Sequence, residues 1–363
     1  MIAWPSFFSR LFGSRPIAAP PRIVDACLLF NELDLLEIRL GELWDAVDRF
    51  VIVESDSTFA GHPKPYFFEA HAARFKPFSS KISYHKVQGL KMPAEAGKAG
   101  TATAARFKIE AAQRNAVATA VGQIGLSADD IVILSDVDEI PRPALIAGLR
   151  ERLSRKAFSI FVLHNYRGYI NNLSDKALNG TAFLGSVACR WKTMRRIGAH
   201  RVRTGGLRSA HVAQERVRRW DYVEDGGWHL SSLGGAEAFW VKAQNFSHAE
   251  DPNRVADVPD ATQPLQIFRS DLSREECAQI QQRYLASGGD SHFSPLAFDA
   301  FAIEQDVPAY LRDHKERYRR FFFFTDLTMQ PSPGAGGGEQ NLDPGVHGAI
   351  SQNIAARGQR PAT

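Results

Sequence analysis

The stretch IVILSDVDEIPRP, Ile131 to Pro143, decides the fold class. Ile131 to Leu134 are continuously apolar and read as a buried strand, and Asp136, Asp138 and Glu139 follow at once. Pro143 then opens a helix predicted to run to Leu153, because proline suits the first helical turn. Like charges so close repel, so either water solvates them or a cation holds them together. Alternation at a strand exit sends both aspartates of the D-x-D toward one side and turns Val137 back. In an open α/β sheet, ligands bind beyond the carboxyl ends of the strands. Two carboxylates there suit a hard divalent ion, Mg²⁺ or Mn²⁺, able to bridge the phosphates of a nucleotide and neutralise a departing diphosphate. A solvated acidic turn is the plainer alternative for a D-x-D taken alone.

The segments upstream supply the rest of such a sheet. DACLLF (25–30) and FVIVES (50–55) read as strands. Between them Leu33, Leu36, Leu40, Leu43 and Val47 recur at helical spacing, with Asn31 or Asp34 available as cap. Strand, helix, strand is the unit of a parallel sheet. KISYHKV (81–87) predicts a third strand, 88–103 a flexible loop, and 105–124 a helix with small alanines for close packing. Downstream, 157–170 predicts strand, 183–220 more sheet than helix, 269–288 a helix with a capping box from Ser273 to Glu276, and FFFF (321–324) a buried or edge strand. The expected class is therefore α/β, with a mixed, mainly parallel sheet flanked by helices. Residues 1–21 read as a leader, 22–329 as one domain, and 330–363, rich in Gly, Pro, Ser, Asn and Gln, as a disordered tail.

Composition narrows the partners. The 363 residues are 44% hydrophobic and 23% charged, as a folded core requires. A net charge of +4 argues for no nucleic acid by itself, but Ser186 to Trp220 holds ten Lys and Arg against the single acid Glu215. That block faces phosphates, lipid head groups or an acidic glycan, or else is a solvated basic face. Cys27, Cys189 and Cys277 are odd in number and widely spaced, which favours a reducing compartment and a cytoplasmic location. No apolar run is long enough to span a bilayer, and the N-terminus lacks the form of a secretory signal. Trp4, Phe7, Phe8, Leu11 and Phe12 beside Arg10 and Arg15 would allow peripheral contact at the inner face of a membrane; a frayed end is the alternative.

Three activities fit a D-x-D at a strand exit. One is sugar transfer from a nucleotide sugar, and a second is non-catalytic glycan or nucleotide binding. The third is the aspartyl-phosphate chemistry of haloacid dehalogenase-like phosphatases. That family usually has Thr or Val two residues after the second Asp and opens its domain with the motif. Here Ile140 stands at that place and at least two strand units precede it, which disfavours the phosphatase.

The blocks FNELDLLEIRLGELWDAVDRFVIVESDSTFAGHPKP, AAQRNAV, ILSDVDEIPRP and GGWHLS together resemble glycosyltransferase family 17, over about residues 23 to 250. The resemblance implies a GT-A-like fold, a UDP-N-acetylglucosamine donor and a metal-dependent transfer that inverts the anomeric carbon, forming a β-1,4 linkage to a glycan acceptor. The chain departs from animal members in lacking a membrane-spanning anchor and the cysteines after GGWH, so a bacterial-type glycan or glycolipid acceptor is at least as consistent.

Site roles follow from the motif and the resemblance together. Asp138 is the first metal ligand, with Asp136 on the ribose, a metal-bound water or the metal itself. Glu139 binds sugar hydroxyls or caps the next helix. Asn31 and Glu32 follow the first strand, where a base or ribose would lie; helix capping is their alternative. Glu54 ends the second strand and would accept from uridine. Arg114 and Asn115 precede the D-x-D strand, and a guanidinium there reaches a diphosphate. Gly226, Gly227, Trp228 and His229 form an acceptor-binding constellation, paired glycines admitting a ligand and the indole facing a sugar. Asp225 or Glu224 would be the general base that an inverting transfer needs, and His248 would complete the metal shell. Arg201, Arg203 and Arg208 would bind diphosphate or an anionic acceptor.

Overall fold

A computed structural model describes residues 19–91, 102–174, 183–205, 220–245, 272–286, 292–293 and 306–323. Among these residues ten strands form a mixed sheet: β1 (Ile23–Leu29), β2 (Arg49–Ser55), β3 (Ile82–Val87), β4 (Ile131–Asp136), β5 (Glu139–Pro141), β6 (Phe158–Arg167), β7 (Asn172–Ser174), β8 (Phe183–Arg190), β9 (Trp220–Ser231) and β10 (His292–Phe293). Helices are α1 (Leu33–Leu43), α2 (Phe67–Ala70), α3 (Ala102–Gln123), α4 (Pro143–Ile146), α5 (Leu149–Arg155), α6 (Trp191–Ile197), α7 (199–205), α8 (Gly235–Asn245), α9 (Arg274–Ala286) and α10 (Ala309–Asp313).

The strand order is β10-β7-β6-β8-β4-β1-β2-β3. The half built from β3, β2, β1 and β4 is wholly parallel, so its carboxyl ends share one edge. From β8 onward the main path turns antiparallel. β9 runs parallel to β6 and also pairs with the short β5 just after the D-x-D. The α/β class read from the sequence is thus borne out.

Alternation along β1 shows why both faces are covered. Val24, Ala26 and Leu28 join the core beneath α3, with Val117 and Val121, while Ile23, Cys27 and Leu29 join the core that includes α1. Asp25 falls on the α1 side of that alternation and is 1% exposed. A lone buried carboxylate would be untenable, and Arg39 of α1, itself 0% exposed, meets it with Nη2 2.5 Å from Oδ1. α1 is buried nearly all round, because the segment 306–323 covers its far side: Gly41 has no room for a Cβ against the Tyr310 ring.

Several local expectations change. The helix predicted from Pro143 to Leu153 is broken into α4 and α5 at Ala147 and Gly148. Among the described residues of 183–220, 183–190 and Trp220 are strand and 191–205 is largely helical; Trp191 and Met194 bury one side of α6, a helical rather than alternating pattern. Phe321 and Phe322 are buried, but in a 3₁₀ turn and the residue after it, filling the α1-side core instead of forming a strand. The capping box is present: Glu276 N donates to Ser273 Oγ at 3.1 Å and Ser273 N to Glu276 Oε2 at 2.8 Å.

Candidate functional site

The D-x-D stands at the carboxyl edge of the parallel half, and Val137 between its aspartates is buried as the alternation requires. The turn is braced from below. Arg39 Nη1 donates to the Glu139 carbonyl at 2.5 Å and the Asp136 carbonyl at 3.4 Å, while its Nη2 donates to Ser135 Oγ at 2.9 Å. Ser135 Oγ donates to Ser186 Oγ at 2.7 Å, which donates to the Glu139 carbonyl at 3.0 Å. Sequence reading missed Arg39, although Asp25 in the middle of an apolar strand was its signal: a mid-strand carboxylate needs a buried counter-charge.

The two aspartates have different partners. Asp136 lies 3.2 Å from Arg114 Nη2 and 3.3 Å from Arg203 Nη2. Burial alone would raise its carboxyl, but the two guanidiniums outweigh burial and hold it well below the usual range. Asp138 faces His229 Nε2 at 3.5 Å and Lys242 Nζ at 4.0 Å. Here too burial pushes upward and is outweighed, chiefly by His229. Glu139 is 1% exposed and ion-paired to Arg203, which α7 carries in from outside the sheet. Burial drives the Glu139 carboxyl up to about 7; Arg203 opposes, while Asp136 and Asp138 add to the rise.

His229 lies opposite Glu139 in the β5–β9 register, which brings it over the D-x-D. Its Nδ1 meets Asn165 Oδ1 at 2.9 Å. Asn165 Oδ1 accepts from Nδ1 both in the imidazolium and in the neutral Nδ1–H tautomer; the first turns an Nε2–H toward Asp138, the second a lone pair that a cation could take. Burial also lowers the His229 pKa, against the pull of Asp138. The Asp138 carboxylate and His229 Nε2 stand 3.5 Å apart, where they share a proton when the ring is protonated and could share a cation when it is neutral. Ligand atoms of Asp138, Glu139 and His229 lie within 4.8 Å of one another, and this donor set of two carboxylates and one imidazole fits a divalent ion such as Mn²⁺. The expected third ligand, His248, and Arg208 lie outside the described residues.

Glu32 belongs to the same site. Its Oε2 accepts from Phe30 N at 3.2 Å and Asn31 N at 3.1 Å, and burial with the Asp138 charge raises its pKa. No side chain caps α1, so the capping role for Asn31 and Glu32 is not realised. Lys242, from α8, was not singled out in the sequence and carried no motif to reveal it.

Other expected residues are occupied elsewhere. Glu54 is 0% exposed, and its oxygens already accept from Lys64 Nζ at 2.8 Å, Phe67 N at 2.6 Å, Phe68 N at 3.1 Å and Tyr84 Oη at 2.9 Å. Those bonds leave nothing to accept from uridine, and Glu54 fastens the 64–68 segment to β2. Asn115 Oδ1 accepts from His200 N at 3.1 Å and ties α3 to the start of α7. Trp228 is 2% exposed, its Nε1 donates to the Asp306 carbonyl at 2.7 Å, and Arg142 covers its ring at 4.6 Å, so it offers no open face to a sugar. Gly226 and Gly227 are required by strand packing rather than by a ligand. A Cβ on Gly226 would meet Val162 N at 2.8 Å, and one on Gly227, where φ is +135°, would meet the Ile140 carbonyl at 2.1 Å.

Glu224 and Asp225 are exposed in a bulge where the β6–β9 register shifts. Asp225 lies 2.8 Å from His164 Nε2 and 2.6 Å from Arg142 Nη2, and Arg142 also holds Asp306 at 2.5 Å. His164 and Asn165 are consecutive on β6, so they point to opposite faces. Asn165 meets His229 of the D-x-D site and His164 meets Asp225, which puts the Asp225 carboxylate on the other face from Asp138. Asp225 is therefore out of position as a base acting beside Asp138.

Comparison with known proteins agrees with the sequence blocks. The chain is 43% identical over 53 residues to beta-1,4-mannosyl-glycoprotein 4-beta-N-acetylglucosaminyltransferase of Rattus norvegicus and equally so to that of Homo sapiens. The match covers 15% of this chain and only 10% of each relative. Among solved structures, S. aureus TarS 1–349 aligns with a TM-score of 0.32 and 11% identity, covering 73% of this chain and 70% of that one. The galactosyltransferase LgtC, in complex with donor and acceptor sugar analogs, aligns at 0.28 and 14%, covering 55% and 72%. The family model described as glycosyltransferase family 17 matches residues 6–166, the span that holds β1 to β4, the D-x-D turn and Arg39 beneath it.

Proposed function

We propose that the chain is a GT-A-type glycosyltransferase that moves N-acetylglucosamine from UDP-N-acetylglucosamine to a glycan hydroxyl, with inversion and a β-1,4 linkage. The observation that carries this reading is the cluster of Asp138, Glu139 and His229, whose ligand atoms lie within 4.8 Å of one another at the carboxyl edge of the parallel strands. Asp138, Glu139 and His229 would hold a divalent cation, which when bound supplies positive charge to the leaving diphosphate. Arg114 and Arg203 turn guanidiniums toward the same edge, where their forked donors suit phosphate oxygens once they exchange them for Asp136. Lys242 adds a third positive group beside Asp138. Glu32, anchored by two backbone N–H groups, is placed to orient a ribose hydroxyl.

UDP release from UDP-N-acetylglucosamine, measured with Mn²⁺ over a panel of acceptor glycans, tests the reading. Metal-dependent release that vanishes in Asp138→Asn is expected. Release that persists in that variant in the presence of EDTA overturns it, and metal-independent glycan binding without release points to a non-catalytic binding protein.

A further inference from the structure

We propose that the corner where α6 meets α7 docks onto an anionic lipid surface. Between Trp191 and Gly205 the chain carries Lys192, Arg195, Arg196, Arg201 and Arg203 and not one acid. Arg203 is buried in the site already described, and Lys192 is paired with Asp129 at 2.8 Å. Arg195, Arg196 and Arg201 are exposed and have no acidic partner among the described residues. A single residue, Gly198 at φ +86°, separates the two helices, so Arg195 and Arg196 at the end of one and Arg201 at the start of the other flank a single bend of the chain.

Helix electrostatics explain only part of this. Arg195 and Arg196 occupy the last turn of α6, where a positive charge offsets the exposed carbonyls. Arg201 sits in the first turn of α7, where a positive charge meets the like sign of the helix N-terminus and costs stability. A third like charge at a place that disfavours it is what a surface selected for an anionic partner would show.

The charge of the corner complements an anionic, phosphate-bearing bilayer surface. Guanidiniums fork onto phosphate oxygens, the groups an anionic bilayer presents, and Ile197 between the arginines is turned to the α3-side core, leaving the corner's outer face to charge. The one aromatic residue of the hairpin, Trp191, is 6% exposed and packed in the α3-side core, so no ring is available to stack on a base. The inference is independent of the glycosyl-transfer reading, because none of the three arginines belongs to the Asp138 site.

The test is co-sedimentation of the full chain with vesicles of phosphatidylcholine alone or mixed equally with phosphatidylglycerol, at low and physiological salt. Binding confined to the anionic vesicles and weakened by salt is expected. Each basic residue near such a surface contributes about fivefold in affinity, so Arg195→Ala, Arg196→Ala and Arg201→Ala together lose on the order of a hundredfold. Lys76→Ala, Lys91→Ala and Arg155→Ala together, made elsewhere on the surface, leave binding unchanged, and both triple variants keep the parent Tm. The proposal is overturned if the Arg195/Arg196/Arg201 variant binds as the parent does, if neutral vesicles bind equally well, or if the chain ignores vesicles while binding heparin or RNA.

Discussion

The Asp136 carboxylate lies 3.3 Å from the guanidinium of Arg203, and that contact separates its role from that of Asp138 two residues on. Asp136 is balanced by two arginines, whereas Asp138 faces a histidine ring nitrogen at 3.5 Å and a lysine at 4.0 Å. The two therefore respond differently to amidation. Asp138→Asn is expected to weaken Mn²⁺ binding at least about tenfold, and Asp136→Asn to change it by less than about threefold. Isothermal titration with Mn²⁺ alone separates the cases; equal losses in both variants would place Asp136 among the ligands.

A second prediction concerns the brace beneath the turn. Arg39→Met leaves Asp25 charged, buried and unpaired, and is expected to cost about 3–5 kcal/mol in urea unfolding. Asp25→Leu combined with Arg39→Met removes both charges and is expected to recover part of that loss. A double variant less stable than Arg39→Met alone would show that the bonds from Arg39 to the Asp136 and Glu139 carbonyls, not the ion pair, dominate.

The contrast between Arg39 and the D-x-D shows what a sequence displays and what it conceals. β1, β2 and β4 were legible because their apolar runs stand out against the helical spacing of 33–47 and 105–124, and burial imposes that pattern locally. The D-x-D was legible because its residues are adjacent in the chain. The partners that divide Asp136 from Asp138 were not: Arg203 and Lys242 lie 67 and 104 positions from Asp136 and Asp138, and only the β8–α7 hairpin and α8 bring them back. GGWH misled for a related reason. Glycines beside a tryptophan read equally as a ligand cradle or as close backbone packing, and the crossing of β9 with β5 and β6 decides for packing. FFFF read as a buried or edge strand. Phe321 and Phe322 are buried, but from a 3₁₀ turn and the residue after it, because apolar side chains fill a core in any backbone conformation; Phe324 lies outside the described residues.

That crossing supplies a third prediction. Gly227 holds φ at +135° with the Ile140 carbonyl where a Cβ would sit. Gly227→Ala must adopt a conformation hostile to L residues and push β9 off β5, carrying His229 away from Asp138. A loss of roughly 3 kcal/mol is expected from strain and overpacking combined. Gly89→Ala is the control: it has positive φ, +73°, but nothing within 4 Å of the added Cβ, so only the conformational cost remains. Urea midpoints read both variants, and equal losses would mean that backbone strain alone makes Gly227 necessary.

The last prediction follows from Glu139, whose carboxyl burial holds at about 7 against an ordinary 4.5. Between those values the folded chain keeps a proton that the unfolded chain has released. The contribution to stability is thus full below about 4.5 and is lost as pH rises through about 7, by at most about 3 kcal/mol. Asp136 acts oppositely: its depressed pKa gives stability present above 3.8 and lost only as pH falls below it, outside this window. Without metal, Glu139 contributes a fall in urea stability as pH rises from about 5 to about 7, to which the raised pKa of Glu32 adds and which the lowered pKa of His229 opposes. Glu139→Gln, which cannot release a proton, should remove the Glu139 share. Metal reverses the sign of the benefit, because a divalent ion binds the carboxylate and not the acid. Mn²⁺ affinity should rise with pH up to about 7 and level off above it, by up to about tenfold per pH unit on the rising side. The two slopes must share one midpoint if a single carboxyl governs both. A Glu139→Gln variant that keeps the parent's pH slope in either measurement would remove Glu139 from the ligand set and leave Asp138 and His229 to hold the ion between them.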